Sequence, residues 1–407
     1  MGRLNMFNLV NFINDYVTRR PSSMFYPDIE AYENKLSEKI CDKTVLVIGG
    51  AGSIGSSYIK AILPFNPKSL VVVDINENAL AELTRDIRST KGMYVPDDYV
   101  PYPMDFASPV FKKMFIDRGG FDIVANFSAH KHVRSEKDIY SVEALLRNNA
   151  LNAKILLDLL EQYPPEEYFC VSTDKAANPV NIMGASKRIM EDLIFTYSDK
   201  FPVKTARFAN VAFSNGSLPA GFLARIQKLQ PLSAPTDTKR YFVSPEESGQ
   251  ICMLSCMLGS NREIFFPKLE EAQMMTFDSI ATNLLHEYGY EVLECSSDEE
   301  AIEKAEDLNN GSKKYPVHFS ASNTSGEKSF EEFYTDTETV DMDRLSALGV
   351  ITDKPIPSRE RVQQLFEKLT AVFEKDDITK EEVVAIIKEY LPNFEHIEKG
   401  KSLDSKM

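Results

Sequence analysis

Short apolar runs alternate with longer amphipathic segments along the first half of the chain. The runs at 43–49, 69–74 and 203–208 have the length of a strand and are rich in β-branched residues. Such runs are typical of strands that are buried on both faces of a sheet. The segments between them carry apolar residues at helical spacing. This alternation predicts an α/β fold, in which a doubly wound parallel sheet is covered by helices on both faces.

The same pattern gives the individual elements. The predicted strands are 43–49, 69–74, 121–126, 168–172 and 203–208, and the predicted helices are 28–40, 54–64, 77–90, 139–162 and 185–199. After residue 215, prolines interrupt a series of short elements, which predicts a smaller C-terminal lobe. An acidic helix is expected at 296–314, and two surface helices are expected within 358–392.

The composition narrows the class of protein. The chain has 407 residues, is 43% hydrophobic and carries a net charge of −15 at pH 7. It is therefore globular, and its acidic balance argues against nucleic-acid binding, which needs a basic surface. No stretch approaches the roughly 18 apolar residues of a membrane span, and the N-terminus lacks the apolar centre of a signal peptide. We therefore expect a soluble protein with no membrane span.

The cysteines and histidines do not suggest a metal site. The chain has five cysteines, none of them in CxxC spacing, and this usage fits a reducing cytoplasm. Cys252 and Cys256 are four residues apart in an apolar stretch, a spacing that indicates packing. His130 and His132 have HxH spacing, but no further ligands stand out near them. We expect a cytoplasmic protein that binds no metal ion.

A glycine-rich turn follows the first predicted strand. Its sequence, GGAGSIG (49–55), has the spacing GxxGxxG and opens a helix. One glycine allows the tight turn, one lets the backbone approach a pyrophosphate, and one lets the helix pack closely against the strand. The helix N-terminus then supplies free N–H groups and a partial positive charge. This context predicts a Rossmann-type dinucleotide site whose cofactor contacts are Gly49, Gly52, Ser53, Ile54 and Gly55.

Residues after the next two strands bear on the choice of cofactor. Asp74 ends the second strand, where a carboxylate can accept hydrogen bonds from the adenosine ribose. A carboxylate would repel a 2′-phosphate and no arginine follows it directly, so NAD is favoured over NADP. Asp105 and Phe106, after the next extended segment, are expected to flank the adenine.

Two polar motifs follow at the middle of the chain. Ser-Thr-Asp-Lys (172–175) ends a predicted strand, at the edge where open α/β sheets bind ligands. Met-Gly-Ala-Ser-Lys (183–187) lies at the start of the next helix. A hydroxyl, a carboxyl group and two amines near a nicotinamide form a usable set for redox chemistry and proton transfer. We therefore predict that Thr173, Asp174, Lys175 and Lys187 are catalytic.

The order of these motifs resembles the extended short-chain dehydrogenase/reductase superfamily. Within it, the chain is most similar to the nucleotide-sugar 4,6-dehydratases that act on UDP-N-acetylglucosamine in polysaccharide and glycan biosynthesis. The matching pieces are GGAGSIG (49–55), Lys131-His132-Val133, Asn149, STDKAANP (172–179), MGASK (183–187), RFANV (207–211), RYF (240–242) and GEKSFEEF (326–333). The combination of STDK with MGASK is specific, whereas the glycine turn alone would not be.

The resemblance implies a reaction in three steps. C4 of the sugar is oxidised by hydride transfer to NAD, water is eliminated across C5 and C6, and the hydride returns to C6. Lys175 is then the base at C5 and Asp174 the acid at the C6 hydroxyl, while Lys187 also orients the nicotinamide ribose. The cofactor is expected to stay tightly bound and to be recycled.

Two positions depart from the family's usual residues. Met183 stands where related reductases carry a tyrosine, and a thioether cannot move a proton. The O4 proton must then go to Thr173, to Lys187 or through a water relay. Ala209 replaces the usual glycine of RFGNV, which predicts a reshaped substrate pocket and leaves the exact sugar open.

The resemblance also assigns the substrate side. Lys131 and His132 are expected to face the UDP-sugar. Asn149, in the long helix, matches a position that supports the active site, and we group it with the substrate-binding residues. Asn210 and Arg240 match positions near the diphosphate, where a guanidinium can bind phosphate through two parallel hydrogen bonds.

We predict four parts of the chain. They are an N-terminal helical extension (1–42), the NAD(P)-binding domain with the catalytic residues (43–215), a substrate-binding lobe whose strands can return to the first sheet (216–357), and a C-terminal helical extension and tail (358–407). The first part resembles the linker that precedes this domain in membrane-anchored members, whose transmembrane part is absent here. Relatives form dimers or hexamers, so a homo-oligomer is expected, and the C-terminal helices are candidates for its contacts.

Two other functions are compatible with these residues. A nucleotide-sugar 4-epimerase shares the hydride step at C4 but needs neither a base at C5 nor an acid at C6, so Asp174 and Lys175 argue against it. A non-catalytic NAD-binding regulator would account for Met183, but it needs none of the four polar residues predicted to be catalytic.

Overall fold

The computed structural model describes residues 7–132, 136–322 and 331–396. Its strands, numbered in chain order, are β1 (Thr44–Ile48), β2 (Ser69–Asp74), β3 (Asp98–Pro103), β4 (Ile123–Asn126), β5 (Glu167–Thr173), β6 (Val203–Phe208), β7 (Asn210–Val211), β8 (Leu232–Pro235), β9 (Lys239–Arg240), β10 (Phe242–Val243), β11 (Glu263–Pro267), β12 (Met275–Thr276), β13 (Glu291–Glu294), β14 (Lys314–Ser320), β15 (Thr339–Asp341) and β16 (Leu348–Asp353).

Helices connect most of these strands. They are α1 (Leu9–Phe12), α2 (Tyr26–Ala31), α3 (Glu33–Ile40), α4 (Ser53–Ile62), α5 (Glu77–Ser89), α6 (Pro109–Asp117), α7 (Ile139–Leu146), α8 (Asn152–Gln162), α9 (Ile182–Phe195), α10 (Leu218–Gln227), α11 (Pro245–Leu258), α12 (Phe277–Glu287), α13 (Asp298–Lys304), α14 (Arg359–Phe373) and α15 (Lys380–Tyr390).

Nine strands form one central sheet in the order β15-β16-β11-β6-β5-β4-β1-β2-β3. The strands from β11 to β3 in this order are all parallel, and β16 pairs antiparallel with both β11 and β15. The chain builds outward from β1 through β2 and β3, then on the other side through β4, β5 and β6. This confirms the predicted doubly wound, Rossmann-type fold. The reversal between β1 and β4 opens a crevice at the carboxyl ends of the strands.

The centre of this sheet is buried because helices cover it. The apolar side chains of β1 and β2 are at most 1% exposed. α4 packs against α11, while α7 and α8 pack against α9. α9 is itself buried along nearly its whole length, since α14 lies against it and the hydroxyl of Tyr390, at the end of α15, donates to Asp192. The apolar faces of α14 and α15 are thus buried against the rest of the chain.

A second, smaller sheet forms the lobe that faces the crevice. β13, β14 and β8 are parallel, and α10 and α12 pack against β8. The core of the lobe includes Phe222, Leu284 and Tyr315, together with Phe12 and Val17 from the N-terminal segment. The beginning of the predicted N-terminal extension therefore packs on the lobe.

The segment 216–357 does not fold as one contiguous lobe. β11, β15 and β16 return to the central sheet, where β11 pairs with β6. Helix α11, from the same segment, packs against α4 of the dinucleotide-binding half. The two parts of the molecule are therefore interleaved through this segment.

Three predicted helices differ from the structure, and the first of them, 28–40, is divided at Tyr32 into α2 and α3. The segment 296–314 is helical in α13 and then forms tight turns up to Gly311, which has φ +85°, before β14 begins. The predicted helix 139–162 is interrupted by a π-helical turn at Arg147–Leu151. In the last two places tertiary contacts override the local periodicity. Within the described ranges no helix is long and apolar enough to cross a bilayer.

Candidate active site

The central sheet and the lobe enclose a cleft of ≈ 770 Å³ at the carboxyl ends of the strands. Ten of the residues predicted from the sequence line this cleft: Ile54, Lys131, His132, Thr173, Asp174, Lys175, Met183, Lys187, Asn210 and Arg240. The other predicted residues lie outside its lining: Gly49, Gly52, Ser53, Gly55, Asp74, Asp105, Phe106 and Asn149. The structure thus gathers the predicted catalytic residues and most of the predicted substrate contacts around one space.

The glycine turn joins β1 to α4 beside this cleft. Gly49 has φ +70°, and a Cβ there would lie 2.6 Å from the backbone nitrogen of Ser128. A Cβ at Gly55 would lie 2.4 Å from the carbonyl oxygen of Gly49. Both positions exclude a side chain, because the turn packs tightly against the protein's own backbone there. A tight turn that leads into a helix N-terminus is what the predicted pyrophosphate site needs.

Asp74 supports this turn from the end of β2. Its carboxylate accepts hydrogen bonds from the backbone nitrogens of Ala51 at 3.1 Å and Asn76 at 2.9 Å. At the end of β3, Asp105 is exposed, whereas Phe106 is only 5% exposed and belongs to the hydrophobic core. The ring of Phe106 is thus packed in the core, while Asp105 presents a carboxylate at that edge; that the two residues flank an adenine stays a prediction.

Thr173, Asp174 and Lys175 form a compact hydrogen-bonded group at the end of β5. The hydroxyl of Thr173 donates to Oδ1 of Asp174 at 2.8 Å. The ammonium of Lys175 donates to the two oxygens of Asp174 at 3.2 and 3.3 Å. Asp174 is 6% exposed. A hydroxyl, an acid and an amine are thus linked in a chain that can carry a proton.

Lys187 projects from α9 into the same cleft. Its ammonium donates to the carbonyl oxygen of Val171 at 3.0 Å and contacts Sδ of Met190 at 3.8 Å. Burial lowers the pKa of Lys187 to about 8, because the surroundings solvate its charge poorly. The amine can therefore lose its proton near neutral pH far more readily than an exposed lysine.

Met183 lines the cleft one helical turn before Lys187 and is 3% exposed. Its backbone nitrogen donates to a carboxylate oxygen of Glu136 at 2.8 Å, which fixes the start of α9. Its thioether offers an apolar surface and no proton. Met183 therefore cannot take a proton from a ligand in the cleft.

Asn149 does not line the cleft, which corrects its assignment to the substrate-binding residues. It is 2% exposed, and its amide nitrogen donates to the carbonyl oxygen of His130 and to the hydroxyl of Ser186. Its amide oxygen accepts from the backbone nitrogen of His130. Asn149 thus holds the loop that carries Lys131 against α9, and both ends of its amide are already engaged.

Lys131 and His132 extend from that loop into the cleft. The side chain of Lys131 is exposed to the interior of the cleft. The protein around the cleft keeps part of the solvent away from its ammonium, and this desolvation lowers the pKa of Lys131. His132 approaches Gly216 so closely that a Cβ there would lie 2.9 Å from its Nε2. Val133, which completes the motif, lies outside the described residues.

Asn210 and Arg240 converge on a residue that the sequence reasoning did not assign. The amide of Asn210 donates to Glu331 at 2.5 Å, and Nε of Arg240 lies 3.9 Å from the same carboxylate. Glu331 also accepts from the backbone nitrogen of Tyr241 at 3.0 Å. Its place in the motif GEKSFEEF was the available signal. Residues 326–330 of that motif lie outside the described residues.

The N-terminus of α10 is a second feature that the sequence reasoning missed. Ser217 caps this helix, and the cleft is lined by residues 217–221 and by Arg225. A capped helix start next to an arginine provides N–H groups and positive charge for an anion. The available signal was the sequence Ser-Leu-Pro (217–219), since serine favours the capping position and proline the first turn.

A buried ion network holds β5 in place behind the cleft. Glu191 is fully buried and accepts from the hydroxyl of Ser172 at 2.7 Å. It also pairs with Arg207 at 2.8 Å and with Lys354 at 3.0 Å. Burial alone would raise the pKa of Glu191, but the charges of Arg207 and Lys354 outweigh it and hold the pKa well below its usual range. The network thus ties the catalytic strand to β6 and to the end of β16.

Comparison with known proteins places this site in a family. The uncharacterized membrane protein MJ1061 of Methanocaldococcus jannaschii is 28% identical over 357 residues, which cover 86% of this chain and 96% of that protein. The probable polysaccharide biosynthesis protein EpsC of Bacillus subtilis is 30% identical over 63% of this chain, but the match spans only 42% of EpsC. A UDP-N-acetylglucosamine 4,6-dehydratase (inverting) of Campylobacter jejuni is 25% identical over 60% of this chain and 72% of its own length.

Solved structures share the fold. Pen from Bacillus thuringiensis matches with a TM-score of 0.61 at 18% identity, over 81% of this chain and 98% of that one. A UDP-N-acetylglucosamine 4-epimerase from Methanobrevibacter ruminantium M1, in complex with UDP-N-acetylmuramic acid, matches with a TM-score of 0.53 at 15% identity over the same shares. At these identities the likeness concerns the fold alone.

The family itself is established by a direct match to its model. The model described as "Polysaccharide biosynthesis protein" matches residues 45–352, which run from β1 to β16 and include every residue that we found lining the cleft. The resemblance inferred from the motifs is thereby confirmed at the level of the family: this chain belongs to the polysaccharide biosynthesis protein family.

Proposed function

We propose that this chain is a nucleotide-sugar 4,6-dehydratase that converts UDP-N-acetylglucosamine to a UDP-4-keto-6-deoxy sugar with a tightly bound nicotinamide dinucleotide. The observation that carries the proposal is the linked group of Thr173, Asp174 and Lys175 at the end of β5, in a cleft that Lys187 also lines. An acid and a base side by side are what an elimination across C5 and C6 needs. The C. jejuni relative, whose name states this reaction, supports the proposal.

The glycine turn fits a dinucleotide. Gly49 and Gly55 leave no room for a Cβ, which keeps the turn between β1 and α4 tight. The N–H groups at the start of α4 would then bind the pyrophosphate, and Asp74, at the end of β2, would accept hydrogen bonds from the ribose hydroxyls. We propose NAD over NADP because that carboxylate would repel a 2′-phosphate. A bound nicotinamide would supply reversible hydride chemistry for C4 and C6 of the sugar. Lys187 is placed to orient its ribose.

The hydrogen bond from Thr173 to Asp174 suggests a path for the O4 proton. If the Thr173 hydroxyl accepts this proton, its own proton passes to Asp174 along the existing 2.8 Å contact. Asp174 is then a neutral carboxylic acid that can protonate the departing C6 hydroxyl. The Lys175 ammonium has lost its counter-charge at that point and can release its proton to water in the cleft, which leaves an amine that can remove the C5 hydrogen. The path needs no tyrosine, so Met183 is compatible with it. With a pKa of about 8, Lys187 is mostly an ammonium at pH 7, so it can stabilise the developing O4 anion, while a minor fraction is a free amine that can accept a proton.

The substrate's charged part would lie on the lobe side of the cleft. We propose that its diphosphate is bound by the N-terminus of α10, by Arg225 and by Arg240, since guanidinium groups and helix starts both bind phosphate. Lys131 would lie on the opposite wall, near the sugar. Asn210 lines the cleft as well, although its amide is hydrogen-bonded to Glu331.

Incubation of the purified chain with UDP-N-acetylglucosamine, without added cofactor, tests the proposal by mass spectrometry. The expected result is loss of one water from the sugar nucleotide, because a retained cofactor is regenerated in each turnover. Thr173→Val, which has no hydroxyl, should slow this loss by about 10²-fold or more, while Thr173→Ser should retain most of it. An unchanged mass with every UDP-sugar tried would contradict the proposal.

A second candidate is a 4-epimerase, since a UDP-glucose 4-epimerase of Rickettsia conorii is 29% identical over 56% of this chain and 66% of its own length. Epimerisation would leave the mass unchanged and invert C4, which NMR detects. Epimerisation needs no base at C5, which is the role proposed for Lys175. The substitution Lys175→Met would therefore slow an epimerase far less than a dehydratase.

A further inference from the structure

Glu331 and Asp174 are two buried carboxylates that share one small cavity. Their side chains are 2% and 7% exposed. A cavity of ≈ 10 Å³ lies between them, lined also by Lys175, Asn181 and Arg240. A space of this size accommodates about one water molecule. A water there can bridge the two carboxyl groups, which face the same polar surroundings behind the catalytic cleft.

Among the described residues, hydrogen-bond donors, two cations and one carboxylate surround the carboxyl group of Glu331. Its oxygens accept from the amide of Asn210 and the backbone nitrogen of Tyr241, and the cations that face it are Lys175 and Arg240. Burial and then the negative charge of Asp174 raise the pKa of Glu331 to about 7, against the opposing effect of the two cations. Two like charges in one buried site cannot both be stable, so the pair has a high affinity for a single proton.

We propose that Glu331 is a positioning residue that makes Asp174 hold one proton between the loss of the O4 proton and the departure of the C6 hydroxyl. This inference rests on the proposed dehydration. The O4–H bond breaks as hydride leaves C4, and the proton passes through the Thr173 hydroxyl to Asp174. Asp174 then transfers this proton to the C6 oxygen as the C6–O bond breaks, and both carboxyl groups of the pair are ionised again. Glu331 supplies the second negative charge at this cavity, and two carboxylates in one buried site favour a single shared proton.

The first test does not depend on activity. Infrared difference spectra of the full chain, recorded without substrate, should show a protonated carboxyl band that disappears as the pH rises through about 7. Glu331→Gln should remove this band. Asp174→Asn should move its loss to lower pH, because the like charge that raises the pKa of Glu331 is gone. The inference would be overturned if no such band is seen, or if neither substitution changes the band or the pH at which it disappears.

The second test is the pH profile of kcat for dehydration. The wild type should lose activity below about pH 7, where the pair is already protonated and cannot take the O4 proton. In Glu331→Gln this limb should move to lower pH, so that the ratio of kcat at pH 8 to kcat at pH 6 falls about tenfold. Glu331→Asp should keep a limb near that of the wild type. Glu332→Gln, whose carboxylate bonds to Asn178 instead, is the matched control and should leave the ratio unchanged.

The outcomes separate this inference from the proposed function. If Glu331→Gln lowers kcat equally at every pH, Glu331 has only a structural role and the inference is wrong. If the infrared band behaves as expected but no sugar is dehydrated, the shared proton is supported and the proposed reaction is what fails. If dehydration occurs with an unmoved pH limb, the reaction stands and the role of Glu331 is refuted.

Discussion

The two lysines of the cleft are in contrasting electrostatic environments. Lys175 has a carboxylate beside it, within 3.3 Å, whereas the ammonium of Lys187 donates to a backbone carbonyl and contacts a thioether. Lys187 is 4% exposed, so water does little to solvate its charge. Glu191 and Cys170 offset this desolvation only in part, and the pKa of Lys187 is lowered to about 8. Keeping a lysine there costs stability, which is reasonable only if the amine is needed.

Lys187→Met should therefore stabilise the fold at pH 7, by about 2 kcal/mol. The folded state holds the proton of Lys187 less tightly than the unfolded state does, so below pH 8 it bears the full cost of the buried charge. As the pH rises from 8 towards 10.5, the folded amine becomes neutral first, and the gain should shrink. Denaturant unfolding of both proteins at several pH values measures this difference.

The matched control for this prediction is Lys154→Met. Lys154 lies on α8, and its ammonium pairs with Asp158 in a partly solvated setting. Its replacement should show no gain that fades between pH 8 and 10.5. A Lys187→Met protein that is less stable than the wild type at every pH would refute the argument. Loss of the packing and hydrogen bond of Lys187 would then cost more free energy than is gained by removing its buried charge.

At the scale of elements, the contact between α4 and α11 fixes the glycine turn. Gly249 lets the two helices approach so closely that a Cβ would lie 2.2 Å from the carbonyl oxygen of Ser57. That atom is backbone and cannot rotate away. Because α4 begins at the glycine turn, a displacement of this helix would also displace the N–H groups that we assign to the pyrophosphate.

Gly249→Ala should accordingly destabilise the protein by about 2 kcal/mol, in spite of the better helix propensity of alanine. Gly221→Ala is the control within a helix, since its Cβ would meet only the flexible end of Arg225, at 3.1 Å. It should be neutral or slightly stabilising. Thermal unfolding of the two variants compares them, and equal melting temperatures would contradict the close approach of α4 and α11.

At the scale of the whole molecule, the cleft is built from parts that are distant in sequence. One wall, which carries the residues predicted to be catalytic, comes from β5 and α9, and the opposite wall comes from α10, β8 and β14. β11, β15 and β16 cross back to the central sheet, and Lys354, just after β16, pairs with Glu191 beneath the catalytic strand. The lobe has a core of its own, but the segment that forms it also supplies β11, β15 and β16 to the central sheet, and we therefore expect the two walls to unfold together.

The fragment 43–215 should for this reason fail to fold on its own. It retains β1 to β7 but loses β11 from the edge of β6, α11 from α4 and α14 from α9. The exposed apolar faces would leave it without a cooperative transition. Circular dichroism during heating should show one sharp transition for the full chain of 407 residues and none for the fragment. A cooperative melt of the fragment would show that the first half is an independent domain.

Sequence alone determined the features that depend on neighbouring residues. The buried strands at 69–74 and 203–208 have the bounds that the pattern predicts, because apolar β-branched runs between turns specify strands locally. The glycine turn and the STDK and MGASK motifs were also recognisable, since each is a contiguous segment at a strand end or helix start. The doubly wound fold followed from their alternation.

The tertiary structure decided what depends on contacts between distant segments. Glu331 lies 121 residues from Asn210, and no local pattern indicates that they meet. Asn149 proved to hold a loop, and Phe106 proved to belong to the core, because burial is fixed only when helices and strands are packed. The return of β11, β15 and β16 to the central sheet has the same cause. Pairing between strands is set by hydrogen bonds and packing across the whole fold, and the local sequence does not encode the partner.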